Sequence, residues 1–196
     1  MSQYFDNDET LKSERHPVKY YVQERELTFT SDSGVFSKNA IDFGTRSLLN
    51  YVLANPLSGY GLDLGCGIGV IGITVALFKH VQMDLVDINK KAVELSKENI
   101  KNNGLDLEAW ESNIFENVSK KDYDFILTNP PIRAGKNVVY AFFDGAFEHL
   151  KEGGYLLVVI QKKQGAPSAK KHLEMVFGNC EIVDRDKGYY LLKSVK

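Results

Sequence analysis

Short apolar runs alternate along the chain with longer segments whose apolar residues recur at the spacing of a helix face. Asp42 and Asn89 precede two of the longer segments as N-cap residues, and Gly104 follows one as a C-terminal cap. Strands that alternate with helices favour an α/β sandwich built on a largely parallel sheet. The predicted strands lie at 60–64, 83–86, 107–110, 125–128, 155–160, 181–183 and 189–195, and the predicted helices at 43–54, 70–78, 90–103, 138–150 and 168–177.

The two ends of the chain depart from this alternation. Residues 1–16 are polar, and we expect little order there. Apolar and polar positions alternate over 18–30, which predicts a hairpin, and 186–188 form a turn between the last two strands. We therefore expect one domain over 1–196, with an N-terminal extension and hairpin at 1–33 and a catalytic core at 34–196.

The strand predicted at 125–128 ends in Asn129-Pro130-Pro131. Prolines lack the N–H that a strand ladder needs, so the strand stops there. The residue before a proline is held extended, which places Asn129 at the strand tip. Its side-chain oxygen and the carbonyl of Pro130 are both hydrogen-bond acceptors, and this pair suits a planar –NH2 group.

Three earlier strands also end in glycines or polar residues. In an open α/β sheet, ligands bind outside the carboxyl ends of the strands. The sequence therefore predicts a single site, beside Asn129, formed by residues at or just beyond the ends of these strands. They are Asp63, Gly65, Gly67 and Gly69 at and after the end of the first, Asp87 and Ile88 after the second, and Ser112 and Asn113 after the third.

The glycine-rich turn has two interpretations. Gly67 to Gly72 also fits the Gly-x-Gly-x-x-Gly pattern of dinucleotide sites, with Asp87 placed 20 residues later for a ribose. Asp63 would lie awkwardly beside a pyrophosphate, whereas its carboxylate could accept from an ammonium group. The dinucleotide interpretation also gives no role to Asn129. The other interpretation is a methyl donor, which the family resemblance of these motifs implies and which we favour.

Composition and charge add limits to this picture. The net charge is −2, unusual for a dedicated nucleic-acid binder, but Arg133, Lys162 and Lys163 fall near the predicted site. They form either a solvated face or a phosphate-binding surface, and the neighbouring motifs favour the second. Two cysteines without metal-ligand spacing indicate no metal, and Cys66 is expected to pack beneath the glycine turn rather than act as a nucleophile.

Targeting signals are absent from the sequence pattern. No run of about 18 apolar residues is present, so we expect no membrane partner. The N-terminus is acidic and polar, without the basic and apolar regions of a signal peptide. We therefore expect a cytoplasmic protein.

Together, the glycine turn, Asp87 and the Asn-Pro-Pro motif resemble the class I S-adenosylmethionine-dependent methyltransferases that methylate planar nitrogens. Three further stretches, at 34–37, 42–46 and 161–165, are similar to the bacterial small-subunit (16S) ribosomal RNA guanine-N2 methyltransferases. The resemblance covers 34–194 and implies a Rossmann-like, seven-stranded, mostly parallel sheet with helices on both faces. Longer members carry an additional N-terminal domain, and this chain is similar to the catalytic half.

The resemblance also implies roles for individual residues. S-adenosylmethionine would be held by the residues after the first three strands, with Asp87 on the ribose, Ile88 on the adenine face, and Ser112 and Asn113 at the adenine edge. Asn129, with Pro130 and Pro131, would hold the amine that is methylated. Many such enzymes have an aromatic residue where this chain has Ile132, so we expect either that Ile132 makes apolar contact with the target base or that another residue such as Phe36 stacks on it.

The expected function is therefore methylation of an exocyclic amine in ribosomal RNA, most specifically guanine N2 of 16S rRNA. The partner would be the RNA or the assembled small ribosomal subunit. A protein glutamine N-methyltransferase is an alternative, because a glutamine side chain also presents a planar –NH2. A catalytically inactive RNA-binding module is the other.

Overall fold

The computed structural model describes residues 12–35 and 40–196, which form nine strands and five α-helices. Within these ranges, no helix has both the length and the apolar character needed to cross a membrane. The elements in chain order are β1 His16–Val22, β2 Arg25–Ser31, α1 Phe43–Ala54, β3 Tyr60–Leu64, α2 Val70–Lys79, β4 Gln82–Asp87, α3 Lys90–Asn102, β5 Glu108–Glu111, β6 Tyr123–Thr128, α4 Lys136–His149, β7 Leu150–Gln161, α5 Ala166–Phe177, β8 Glu181–Asp186 and β9 Tyr189–Val195.

Seven of the strands form one sheet in the order β5-β4-β3-β6-β7-β9-β8. All neighbouring pairs from β5 to β7 are parallel, and β9 runs antiparallel to both β7 and β8. This arrangement confirms the expected Rossmann-like sheet. The chain proceeds in one direction from β3 through β4 to β5 and in the other from β6 to β7, so the topological switch point lies between β3 and β6.

Helices cover both faces of the sheet because successive strand residues point to opposite sides. One apolar cluster joins α1, α2 and α3 to one face through residues such as Leu48, Ile73 and Leu85. The other joins α4 and α5 to the opposite face through residues such as Phe143 and Leu173. A sheet buried on both sides explains why its strands read as continuous apolar runs.

The N-terminal hairpin, β1 and β2, forms a separate two-stranded sheet and packs on α3. Asn99, fully buried, accepts a hydrogen bond from the Thr30 N–H at 2.7 Å and donates to the carbonyls of Thr30 and Ile68 at 3.0 Å each. Lys91 forms an ion pair with buried Asp32 at 3.0 Å. The predicted hairpin is thereby confirmed and is attached to the helix that follows the second strand of the site.

Several predicted boundaries differ from the structure by two residues or more, and two of these differences have a clear physical cause. The sequence predicts a turn at Gly153 and Gly154, but β7 already begins at Leu150. The reason is a distant partner: Gly153 donates to the Lys196 carbonyl and Lys196 donates to the Gly154 carbonyl, at 2.9 Å each. In addition, α5 begins at Ala166, two residues earlier than predicted, because Pro167 occupies its first turn.

Candidate active site

The ends of β3 and β6 meet at the switch point of the sheet. Asp63 in β3 lies opposite Leu127 in β6, so Asn129 follows β6 beside the turn that follows β3. The hydroxyl of Thr128 donates to the Leu64 carbonyl at 2.8 Å and ties the two strand ends together. The structure therefore brings the glycine turn and the Asn-Pro-Pro motif to one position, as their sequence context predicts.

Backbone hydrogen bonds hold the glycine turn against the next strand. The amides of Gly65 and Cys66 both donate to the Val86 carbonyl at 2.9 Å. The amide of Gly67 donates to a carboxylate oxygen of Asp87 at 2.8 Å. Bonds within the chain thus fix the conformation of the turn, which reduces the ordering that a ligand must impose.

The glycines of this turn have different surroundings. Gly67 has a positive φ of +56°, and a Cβ on it would meet nothing within 4 Å, so its backbone borders open space. Gly69 is buried, and a Cβ there would lie 2.9 Å from the Ile73 side chain. A Cβ on Gly72 would lie 2.8 Å from Leu85. Gly67 is therefore available to a ligand, whereas Gly69 and Gly72 allow α2 to approach β4.

Asp63 is fully buried beneath the turn. One carboxylate oxygen accepts a hydrogen bond from the Gly72 amide at 2.8 Å, while Oδ1 has no hydrogen-bond partner among residues 12–35 and 40–196. Burial raises the pKa of the Asp63 carboxyl to about 7. A buried acceptor without a partner is costly, so this oxygen fits a donor supplied by a bound molecule.

Asp87 ends β4 at the same edge. Its two carboxylate oxygens accept hydrogen bonds from the amides of Asn89 at 2.9 Å and Gly67 at 2.8 Å. Burial raises the pKa of the Asp87 carboxyl, and the backbone N–H donors oppose that rise. Each oxygen retains acceptor capacity, which suits a pair of hydroxyl groups. Ile88 follows it, half-buried, as an apolar surface.

Ser112 and Asn113 form a turn beside Asp87. The Ser112 amide donates to the Asp87 carbonyl at 3.0 Å, and the Ser112 hydroxyl accepts from the Asn117 amide at 3.1 Å. The Asn113 side chain is exposed and donates to Glu116 at 2.8 Å. The turn lies at the expected edge, but the buried Ser112 hydroxyl is already engaged in holding it.

Asn129 is held by two residues of the N-terminal turn of α1. Its amide nitrogen donates to Oδ1 of Asp42 and to the hydroxyl of Thr45, at 3.1 Å each. A carboxylate can only accept hydrogen bonds, so the amide must present its nitrogen to Asp42 and leave Oδ1 for a substrate. The sequence predicted Asp42 as the N-cap of α1, a role it also has, and singled out 42–46 as a family-like stretch without assigning it a partner. The contact with Asn129 joins residues 87 positions apart and has no local signal.

The residues after Asn129 form a short 3₁₀ turn. The Ala134 amide donates to the Pro131 carbonyl at 2.9 Å, and Pro130 is buried at the strand end. Ile132 is half-buried on this turn and Arg133 is exposed. An apolar side chain and a cation thus lie directly beyond the Asn-Pro-Pro motif.

Two further predicted substrate residues lie after β7. Lys162 and Lys163 are exposed on a 3₁₀ turn, and the Lys162 amide donates to the Gly188 carbonyl at 2.8 Å. This bond places the lysines beside the turn between β8 and β9. Phe36, predicted to stack on the target base, lies outside the described residues.

Cys66 lies beneath the glycine turn and is buried. Burial raises the pKa of its thiol well above the ordinary value, so the thiol stays protonated. Its sulfur lies 3.6 Å from the Ser96 hydroxyl, which in turn donates to the Gly67 carbonyl at 2.8 Å. These contacts support the predicted packing role.

The chain is similar in sequence to a known protein family and to several known proteins. The family model described as Methyltransferase small domain matches residues 26–193. Uncharacterized protein YbxB of Bacillus subtilis (strain 168) is 45% identical over 196 residues. The match covers 98% of this chain and 98% of that protein. Ribosomal RNA small subunit methyltransferase C of Vibrio cholerae is 32% identical over 197 residues, which cover 98% of this chain and 55% of that protein.

Among solved structures, the 16S rRNA N2 methyltransferase RsmC of T. thermophilus, in complex with AdoMet and guanosine, superposes with a TM-score of 0.85. It is 25% identical, and the match covers 95% of this chain and 52% of that one. The chain thus spans nearly all of YbxB but about half the length of the ribosomal RNA methyltransferases that it matches.

Proposed function

The chain belongs to the methyltransferase small domain family, and on this premise we propose that it is an S-adenosylmethionine-dependent N-methyltransferase acting on guanine N2 of 16S ribosomal RNA. The observation that carries the proposal is the fixed orientation of the Asn129 amide, at 3.1 Å from both Asp42 and Thr45. It leaves an acceptor for a planar amine beside the glycine turn. Relatives named ribosomal RNA small subunit methyltransferase C, and RsmC in complex with AdoMet and guanosine, support the same substrate class.

The cofactor would bind along the carboxyl edge of β3, β4 and β5. Oδ1 of Asp63 would accept from the ammonium of the methionine moiety, directly or through water, and the open backbone at Gly67 would allow close approach. Asp87 would accept from the ribose hydroxyls. Ile88 would pack on the adenine face, and Asn113 would reach its edge.

The bound cofactor supplies a methyl group already activated by its sulfonium. The role of the chain is then to position and desolvate the amine. Its lone pair is delocalised into the base, and acceptance of both N–H hydrogen bonds by Asn129 Oδ1 and the Pro130 carbonyl would direct that lone pair toward the methyl carbon. Transfer of the methyl group from sulfur to nitrogen would exchange a C–S bond for a C–N bond, and the methylated nitrogen would then release a proton to water. Because positive charge develops on nitrogen, these acceptors stabilise the transition state more than the ground state.

The RNA would lie across the turns after β6 and β7. Arg133, Lys162 and Lys163 are exposed cations there and would contact phosphates. A base inside a helix cannot reach Asn129, so the target guanine must be unstacked or flipped. Such a substrate is cytoplasmic, and either the RNA or the small subunit would be the partner.

A direct test uses small ribosomal subunits, and 16S rRNA extracted from them, from cells that lack this protein. Purified protein and labelled S-adenosylmethionine are added, and nucleosides from the digested RNA are identified by mass spectrometry. We expect labelled N2-methylguanosine with the wild type and a roughly 10²–10³-fold slower transfer with Asn129→Ala. Label found only in protein, as methylated glutamine, would favour the glutamine alternative and contradict the proposal.

A further inference from the structure

An aromatic pair lies close to the Asn129 side chain. Phe43 begins α1 and Tyr189 begins β9, and their ring centroids are 5.4 Å apart with the planes inclined at 44°. Tyr189 Cε1 and Asn129 Nδ2 lie 3.1 and 3.4 Å from the point where a Cβ on Gly44 would stand. The Tyr189 ring therefore adjoins the amide that would hold the target amine.

Two cations lie over one ring of this pair, that of Phe43. The Lys187 ammonium lies 5.1 Å from the centre of the Phe43 ring and the Arg46 guanidinium lies 5.6 Å from it. Both cations are exposed, whereas both rings are half-buried. A planar apolar surface with cations at its rim suits a base together with its flanking phosphates.

We propose that Tyr189 stacks on the target base while Asn129 holds its amine, and that Phe43 positions Tyr189 and the two cations, Arg46 and Lys187, that contact the adjacent phosphates. This inference rests on the proposed function and assigns the stacking residue for it. The Arg46 and Lys187 cations lie over the Phe43 ring, where they would compete with a base for its face. We therefore assign the stacking role to the Tyr189 ring. Because the two rings are inclined to each other, Phe43 packs against Tyr189 without lying parallel to it, and this contact would hold the Tyr189 ring in place.

The chain provides a matched control at the next position. Tyr190 has an arginine at 5.2 Å from its ring centre, yet it packs against the opposite apolar cluster from Tyr189 because neighbouring strand residues face opposite sides. The variants Tyr189→Ala and Tyr190→Ala therefore remove the same side chain from the same strand on different faces of the sheet.

The first test is steady-state methyl transfer to unmodified 16S rRNA, with S-adenosylhomocysteine affinity and thermal unfolding measured in parallel. For Tyr189→Ala we expect the KM for RNA to rise roughly tenfold with cofactor affinity unchanged. Tyr189→Phe should remain close to the wild type, and Tyr190→Ala should leave the KM unaltered. Lys187→Gln should reduce the slope of RNA affinity against salt concentration by about one.

A second measurement keeps the inference testable if Tyr189→Ala folds poorly. Guanosine, added with S-adenosylhomocysteine, should quench the fluorescence of the Tyr189→Trp variant in a saturable manner. The wild type, with Trp110 as its one tryptophan, supplies the background. A wild type active on RNA, combined with an unchanged KM in Tyr189→Ala or no quenching in Tyr189→Trp, would overturn the inference alone. A wild type that methylates no RNA would overturn the proposed function and this inference with it.

Discussion

Replacement of Asn129 by aspartate should be more damaging than the similarity of the two side chains suggests. In the structure, the Asn129 nitrogen donates to the Asp42 carboxylate at 3.1 Å. Asn129→Asp would place a second carboxylate oxygen at this distance. Two unit charges about 3.1 Å apart repel by about 5 kcal/mol at an effective dielectric constant near 20. Since both side chains are half-exposed and can turn apart, we expect a measured loss of roughly 1–3 kcal/mol at pH 8.

The loss should depend on pH with a defined sign. In the folded variant, the neighbouring charge makes one of the two carboxyls bind a proton more tightly than it does in the unfolded chain. The destabilisation caused by this pair is therefore smallest at low pH and grows as the pH rises through the titration of the pair. Asn129→Ala also loses two hydrogen bonds but introduces no charge, so its destabilisation relative to the wild type should be similar at pH 5 and pH 8.

The exchange of both residues gives the decisive control. In Asp42→Asn/Asn129→Asp, the donor and acceptor have changed places, and asparagine remains a good N-cap for α1. We expect the double variant to recover most of the stability at pH 8 and part of the methyl transfer lost in Asn129→Asp. Urea denaturation at the two pH values and transfer of labelled methyl groups measure both. Equal stabilities of Asn129→Asp and the double variant at pH 8 would refute the proposed donor–acceptor pair.

Three further predictions concern the cofactor and the RNA. Asp87→Ala should weaken S-adenosylhomocysteine binding by roughly 1–3 kcal/mol in calorimetry, and unchanged affinity would remove Asp87 from the ribose site. Burial raises the pKa of Asp63 to about 7, and a ligand ammonium favours its ionised form, so cofactor affinity should increase from pH 5.5 to 7.5. Asp63→Asn should flatten that increase, and a pH profile identical to that of the wild type would contradict the assignment. Lys162→Gln combined with Lys163→Gln should weaken RNA binding and lower its salt dependence without altering cofactor affinity. An unchanged salt slope would make these lysines a solvated face.

The local sequence pattern was sufficient to predict helix and strand ends where the residue that sets the end bonds only within its own segment. The structure confirms α1 over Phe43–Ala54 with Asp42 as its N-cap, and Asn89 as the N-cap of α3. It also confirms that β6 ends before the Asn-Pro-Pro motif. N-caps bond amides within the first turn of their own helix, and prolines lack the donor of a strand ladder whatever surrounds them. The start of β7 was misplaced because its glycines pair with Lys196 at the far end of the chain.

The sequence by itself determined the alternation of strands and helices, and therefore that the glycine turn, Asp87 and Asn129 all follow strands. Only the tertiary structure decided that β3 and β6 are neighbours at the switch point, that Asp42 and Thr45 fix the Asn129 amide, and that Tyr189 lies beside it. The spacing of apolar residues within one helix or strand indicates which of its faces is buried, because the hydrophobic effect depends on the apolar surface of that segment and not on which partner covers it. The orientation of one side chain depends on hydrogen bonds and packing between segments 60 or more residues apart, and these exist only once the strands have assembled in their order.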